Sequence, residues 1–154
     1  MQAKRFPRLA GLFLLSVLVT ALAGTVLQSQ INLAAISALG APVGVADRLA
    51  VTAADLLGFA PTLAGLALPA LLVALPLAAW VARHTGASAR TALYALAGWG
   101  GLLVAFAAAD AAAPMPTLIA ATRSFGGALT VAAAGALGGW LFARGTRSPV
   151  TQGA

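Results

Sequence analysis

The stretch Asp110-Ala111-Ala112-Ala113-Pro114-Met115-Pro116-Thr117 decides the fold. Two prolines one residue apart stop a helix, because each lacks an N–H and each restricts the residue before it. On either side lies an apolar run long enough to cross a bilayer, residues 91–113 before the turn and 117–143 after it. The reading is therefore a helical hairpin in a membrane, with its turn at one surface. Asp110 and Arg123 are the only charges inside these two runs, and both stand near the turn. Counted outward from Met115 their depths differ by about three residues, roughly 4.5 Å of helix rise, which an arginine side chain spans. A charge at the bilayer centre costs about 2.5–3.5 kcal/mol on insertion scales, and less near the boundary. Asp110 and Arg123 are thus expected to form a structural ion pair that locks the hairpin. The alternatives are a contact with an ion or substrate, or no mutual contact.

Composition extends this reading to the whole chain. Of 154 residues, 61% are hydrophobic and 8% charged, and mean hydropathy is +0.97. Soluble domains carry roughly 25% charged residues, so this chain cannot cover a globule of its size with polar groups. Lipid is the solvent its surface fits.

Before the hairpin come two more apolar runs. Residues 9–27 follow the basic head Lys4, Arg5 and Arg8. Ala21-Leu22-Ala23 before Gly24 also imitates a secretory cleavage site, but the run continues through Val26 and Leu27. A retained helix is the expectation. Ser16, Thr20 and Gly24 recur every four residues and make a small-residue ridge for close helix contact. Residues 61–82 form the second run, with Pro61 suited to a first helical turn. Pro69 and Pro76, inside that run, are read as structural kinks. The short charged turn 83–90 leads to the third run, where Tyr94 and Trp99 are expected near the interface. In the fourth run, Gly135 and Gly139 form a G-x-x-x-G face, and residues 124–143 suffice to span. The prediction is an all-α bundle of four transmembrane helices in one integral membrane domain.

The connection 28–60 is the most polar part of the chain and still too apolar for a free loop. Ile31, Leu33, Ile36 and Leu39 suggest one short helix that Gly40-Ala41-Pro42 would end. From 45 to 59 the pattern is amphipathic: Val45, Leu49, Ala53, Leu56 and Leu57 share one side, and Asp47, Arg48, Thr52 and Asp55 the other. These two pieces are expected to cap the bundle or lie on the outer membrane face, with Asp47 and Asp55 solvating the second. Gln28, Gln30, Asn32, Asp47, Arg48 and Asp55 are the candidate partner surface.

Charge supplies the orientation. Seven of the nine Lys and Arg residues fall at one end (Lys4, Arg5, Arg8, Arg83, Arg90, Arg144, Arg147), and Arg48, Arg123 and all three acids fall at the other. The positive-inside rule then places both termini in the cytoplasm, here of a bacterial inner membrane. The same distribution explains the net charge of +6 without nucleic acid, since no basic patch interleaved with aromatics occurs.

Chemistry is scarce. There is no cysteine, which excludes thiol catalysis and Cys-ligated metal. His84 is the sole histidine, beside Arg83, and makes neither a metal site nor a base for a nucleophile at the other end. Gly98-Trp99-Gly100-Gly101 lies in a span and lacks the lysine of a phosphate loop. No cofactor is expected, and no proton path: between the ends, Ser16, Thr20 and Thr130 offer only hydroxyls.

Gln28-Ser29-Gln30-Ile31-Asn32-Leu33, the run 55–61, Ala121-Thr122-Arg123 and Gly138-Gly139-Trp140-Leu141-Phe142 together resemble small uncharacterised four-span inner-membrane proteins of proteobacteria. The resemblance implies the architecture and no activity. The functional expectation is a non-enzymatic accessory or scaffold subunit that binds another membrane protein or itself within the lipid bilayer. The alternative is a small oligomeric transporter or channel with Asp110 and Arg123 at its periplasmic mouth.

Overall fold

The computed structural model describes residues 5–85, 89–112 and 119–147, with the side chain of Arg5 left aside. Over these residues the chain is all-α: α1 (Arg5–Ala38), α2 (Val45–Gly58), α3 (Ala60–Thr85), α4 (Arg90–Ala112), a single 3-10 turn (Ala120–Arg123) and α5 (Phe125–Gly145). Helices α1, α3, α4 and α5 are long and apolar enough to cross a membrane. The turn at Pro114-Met115-Pro116 lies outside the described residues.

The four spanning helices form a ring in which α1 neighbours α3 and α5, and α4 neighbours α3 and α5. Leu63, Leu71, Leu102 and Val131 are fully buried where they meet. Outward positions are as apolar as inward ones: Leu14, Leu72, Val73, Leu96 and Val104 are all more than half exposed. A helix apolar all round is what a lipid-embedded bundle requires.

α5 is the best-packed helix, and glycine is the reason. A β-carbon at Gly135 would strike the carbonyl oxygen of Gly98, and one at Gly139 the carbonyl oxygen of Tyr94. On its other side, Gly138 lies against Thr20 and the backbone of Ser16. Gly24 of α1 faces Leu63 and Ala134. Backbone therefore meets backbone on α4 and nearly so on α1, the close approach that drives helix association in lipid. Ser124 starts α5 by accepting from Gly127 N at 3.0 Å, an N-cap bond.

The first connection differs from its expected form. The short helix anticipated around Ile31–Leu39 is the continuation of the first span, because nothing between Leu27 and Ala38 breaks helical geometry. α1 accordingly runs for 34 residues, about 51 Å at 1.5 Å per residue. It stops where expected, at Gly40, whose φ of +90° only glycine adopts without strain. α2 follows almost on the expected boundaries. Its N-terminus is held by Asp47, whose Oδ2 accepts from Gly44 N at 2.9 Å and faces the positive end of the helix dipole. Asp47 therefore does more than solvate. Pro61, lacking an N–H, breaks the backbone ladder between α2 and α3.

Candidate functional site

The polar triplet Gln28-Ser29-Gln30 sits about nineteen residues after Leu9, a rise of roughly 28 Å, close to the thickness of a hydrocarbon core of about 30 Å. α2 runs back along α1 toward this level. The contacts step in antiparallel order. Ser29 Oγ donates to Asp55 Oδ2 at 2.5 Å, Gln30 Nε2 to Thr52 Oγ1 at 2.9 Å, and Arg48 Nη1 to Gln30 Oε1 at 3.1 Å. The Ser29 hydroxyl also lies 2.9 Å from the Thr25 carbonyl, and its one hydrogen serves the two acceptors in turn.

This seam inverts the usual order of an amphipathic helix. Along α2, only Arg48, Thr52, Asp55 and Leu56 are partly shielded, and no residue is buried. Their spacing of four, three and one residues makes a single stripe, and it faces α1. The apolar side points away: Val45 is 76% exposed, Leu49 68% and Leu57 83%, with Leu39 of the preceding turn at 89%. Asp55 is thus a hydrogen-bond acceptor from Ser29 within the fold, where the sequence suggested a solvated acid.

Of the residues expected to form a partner surface, Gln30, Arg48 and Asp55 bond to one another's helices, and Asp47 caps α2. Gln28 is buried at 7% exposure, and its Oε1, like Thr25 Oγ1 and Thr20 Oγ1, has no hydrogen-bond partner among the described residues. Asn32 is half-buried. The outward apolar side of α2 was legible in the sequence pattern; its direction was not.

Asp110 occupies the last turn of α4, half-buried, and Arg123 closes the 3-10 turn, exposed, at the same end of the bundle. Tyr94 and Trp99 turn into the bundle. Tyr94 is 4% exposed and stacks on Phe142 at 5.9 Å, while Trp99 Nε1 donates to the Leu129 carbonyl at 3.2 Å. Pro69 lines an apolar groove of about 780 Å³ between α3 and α4, with Val73, Gly101 and Val104 in its walls.

The opposite end is basic. Arg90 Nη1 donates to the Ala143 carbonyl at 2.6 Å and Nη2 to Thr146 Oγ1 at 2.7 Å. Arg8 donates to the Gly145 carbonyl at 3.1 Å, and Arg147 to Thr91 Oγ1 at 2.5 Å. Arginines thus occupy the carbonyl end of α5, where its dipole is negative. In the sequence alone they are legible only as topology signals. Among the described residues no three His, Cys, Asp or Glu side chains come together.

No protein-family model matches the chain, and no curated protein or solved structure matches it either. Nothing in these comparisons links it to the four-span proteins it resembles.

Proposed function

We propose that this multi-span membrane protein is a non-enzymatic accessory subunit that docks another membrane protein on the outward face of α2, with its arginine end in the cytoplasm. One observation carries the reading: α2 spends its polar stripe on α1 and leaves its apolar side uncovered. The eight residues of α1 from Ile31 to Ala38 rise about 12 Å beyond the polar triplet. A headgroup layer is only about 5–8 Å deep on each side, taking a bilayer of about 40–45 Å around a 30 Å core. Lipid therefore covers Leu57 but falls short of Leu39 and Val45. An apolar helix face of a protein partner, standing just outside the bilayer, matches that upper patch. The arginine cluster at the other end supports the orientation through the positive-inside rule.

The test places a photo-crosslinking residue at Leu49 in living cells, with Val104 on the lipid-facing side of α4 as control. One companion of fixed stoichiometry should be captured from Leu49 and not from Val104. Leu49→Glu should release that companion while leaving the thermal unfolding of the purified protein within about 0.5 kcal/mol, as for other surface changes. Capture of lipid alone, or only of further copies of this chain, would overturn the accessory reading.

A further inference from the structure

Behind the arginines lies a cleft of about 280 Å³ at the meeting of α1, α3, α4 and α5. Its walls are apolar, among them Phe13, Leu75, Pro76 and Phe142, and among the described residues Arg90 is the one charged side chain lining it. The volume equals about nine waters at ~30 Å³ each, but water needs two to four polar partners and these walls offer few. The cleft suits a hydrocarbon chain. At its rim the Arg90 guanidinium lies 4.8 Å from the centre of the Tyr94 ring, fixed by its bonds to Ala143 and Thr146. A guanidinium has five N–H donors, so those two bonds leave donors for an oxyanion. The three acidic side chains, Asp47, Asp55 and Asp110, stand on α2 and at the far end of α4, so no side-chain carboxylate competes for this arginine end.

We propose that the cleft holds one acyl chain of an anionic phospholipid, with the lipid phosphate on Arg90. Pro76 contributes to the cleft wall, and Tyr94, the Ala143 carbonyl and the Thr146 hydroxyl hold Arg90 at its mouth. Arg8, bonded to the Gly145 carbonyl, and Arg147, bonded to Thr91 at the start of α4, add positive potential around the headgroup. A basic pocket between membrane helices is suited to such headgroups, and arginine binds phosphate oxygens through two parallel bonds. The apolar cleft selects the lipid over a free phosphate ion.

Native mass spectrometry of the full-length protein in detergent tests this, with phosphatidylglycerol and phosphatidylcholine of identical chains offered in competition. The expected result is one retained phosphatidylglycerol, preferred by about fivefold or more, the scale of one arginine near a charged surface. Arg90→Gln should remove the preference and Arg90→Lys should keep part of it, which guards against a variant that merely misfolds. Ala79→Phe, which fills the cleft, should lower retention of both lipids with the helical circular dichroism unchanged. Arg144→Gln, whose guanidinium lies over Trp140, should leave the preference intact. Equal retention of the two lipids would overturn the proposal. So would an equal loss in Arg144→Gln, or displacement of the lipid by inorganic phosphate alone.

Discussion

The α4–α5 pair and the α1–α2 pair each fold a helix back on its predecessor, by opposite means. α4 and α5 meet through Gly98, Gly135 and Gly139, where backbone touches backbone and no side chain intervenes. α1 and α2 meet through Ser29, Gln30, Arg48, Thr52 and Asp55, where side-chain hydrogen bonds carry the contact. The first pair completes its packing within the chain. The second joins Ser29, Gln30, Arg48, Thr52 and Asp55 within the chain and leaves Val45, Leu49 and Leu57 outside. A hairpin in lipid gains most from close van der Waals approach. One that rises past the lipid has a polar seam to close and an apolar face still to cover.

The largest effect should come from the glycine seam. Gly135→Leu forces a side chain into the Gly98 carbonyl, and backbone cannot rotate away as a side chain would. The expected cost is about 3 kcal/mol, seen as loss of the folded fraction in a detergent thermal melt. A melt within error of the parent would mean that α4 and α5 do not approach as described. The polar seam should be milder and local. Ser29→Ala removes the bond to Asp55 and should cost about 1 kcal/mol. Hydrogen exchange should quicken across residues 45–58 and stay unchanged across 125–145; faster exchange in both would show that the pairs are not independent. Smallest of all, Gly100→Ala places its methyl where no atom lies within 4 Å. It should be neutral, or stabilising by up to ~1 kcal/mol from helix propensity. Destabilisation there would show that glycine in α4 serves flexibility and not only the close contacts at Gly98 and Gly101.

Legibility in the sequence followed the range of the physics. Hydropathy summed over twenty residues is a local quantity, and it located the four spans; Gly40 and Ser124 ended and began helices for equally local reasons. The spacing of Ser16, Thr20 and Gly24, or of Gly135 and Gly139, showed that each helix carries a smooth side. Periodicity cannot say which helix fills it, so Gly138 against Thr20, and Gly98 against Gly135, stayed hidden until the helices were side by side. Arg90 looked like a topology marker because its sequence neighbours are a turn, and its partners Ala143 and Thr146 lie more than fifty residues away.

By itself the sequence determined the solvent, the number of spans and the segregation of charge between the two ends, because each depends only on composition along the chain. It also determined that α2 has a polar and an apolar side. Tertiary structure alone decided which side turns inward, because Ser29 and Gln30 had to find donors and acceptors and α2 supplied them. In water the apolar side would have been drawn in; at the edge of a bilayer it is the unsatisfied hydrogen bonds of α1 that cost more.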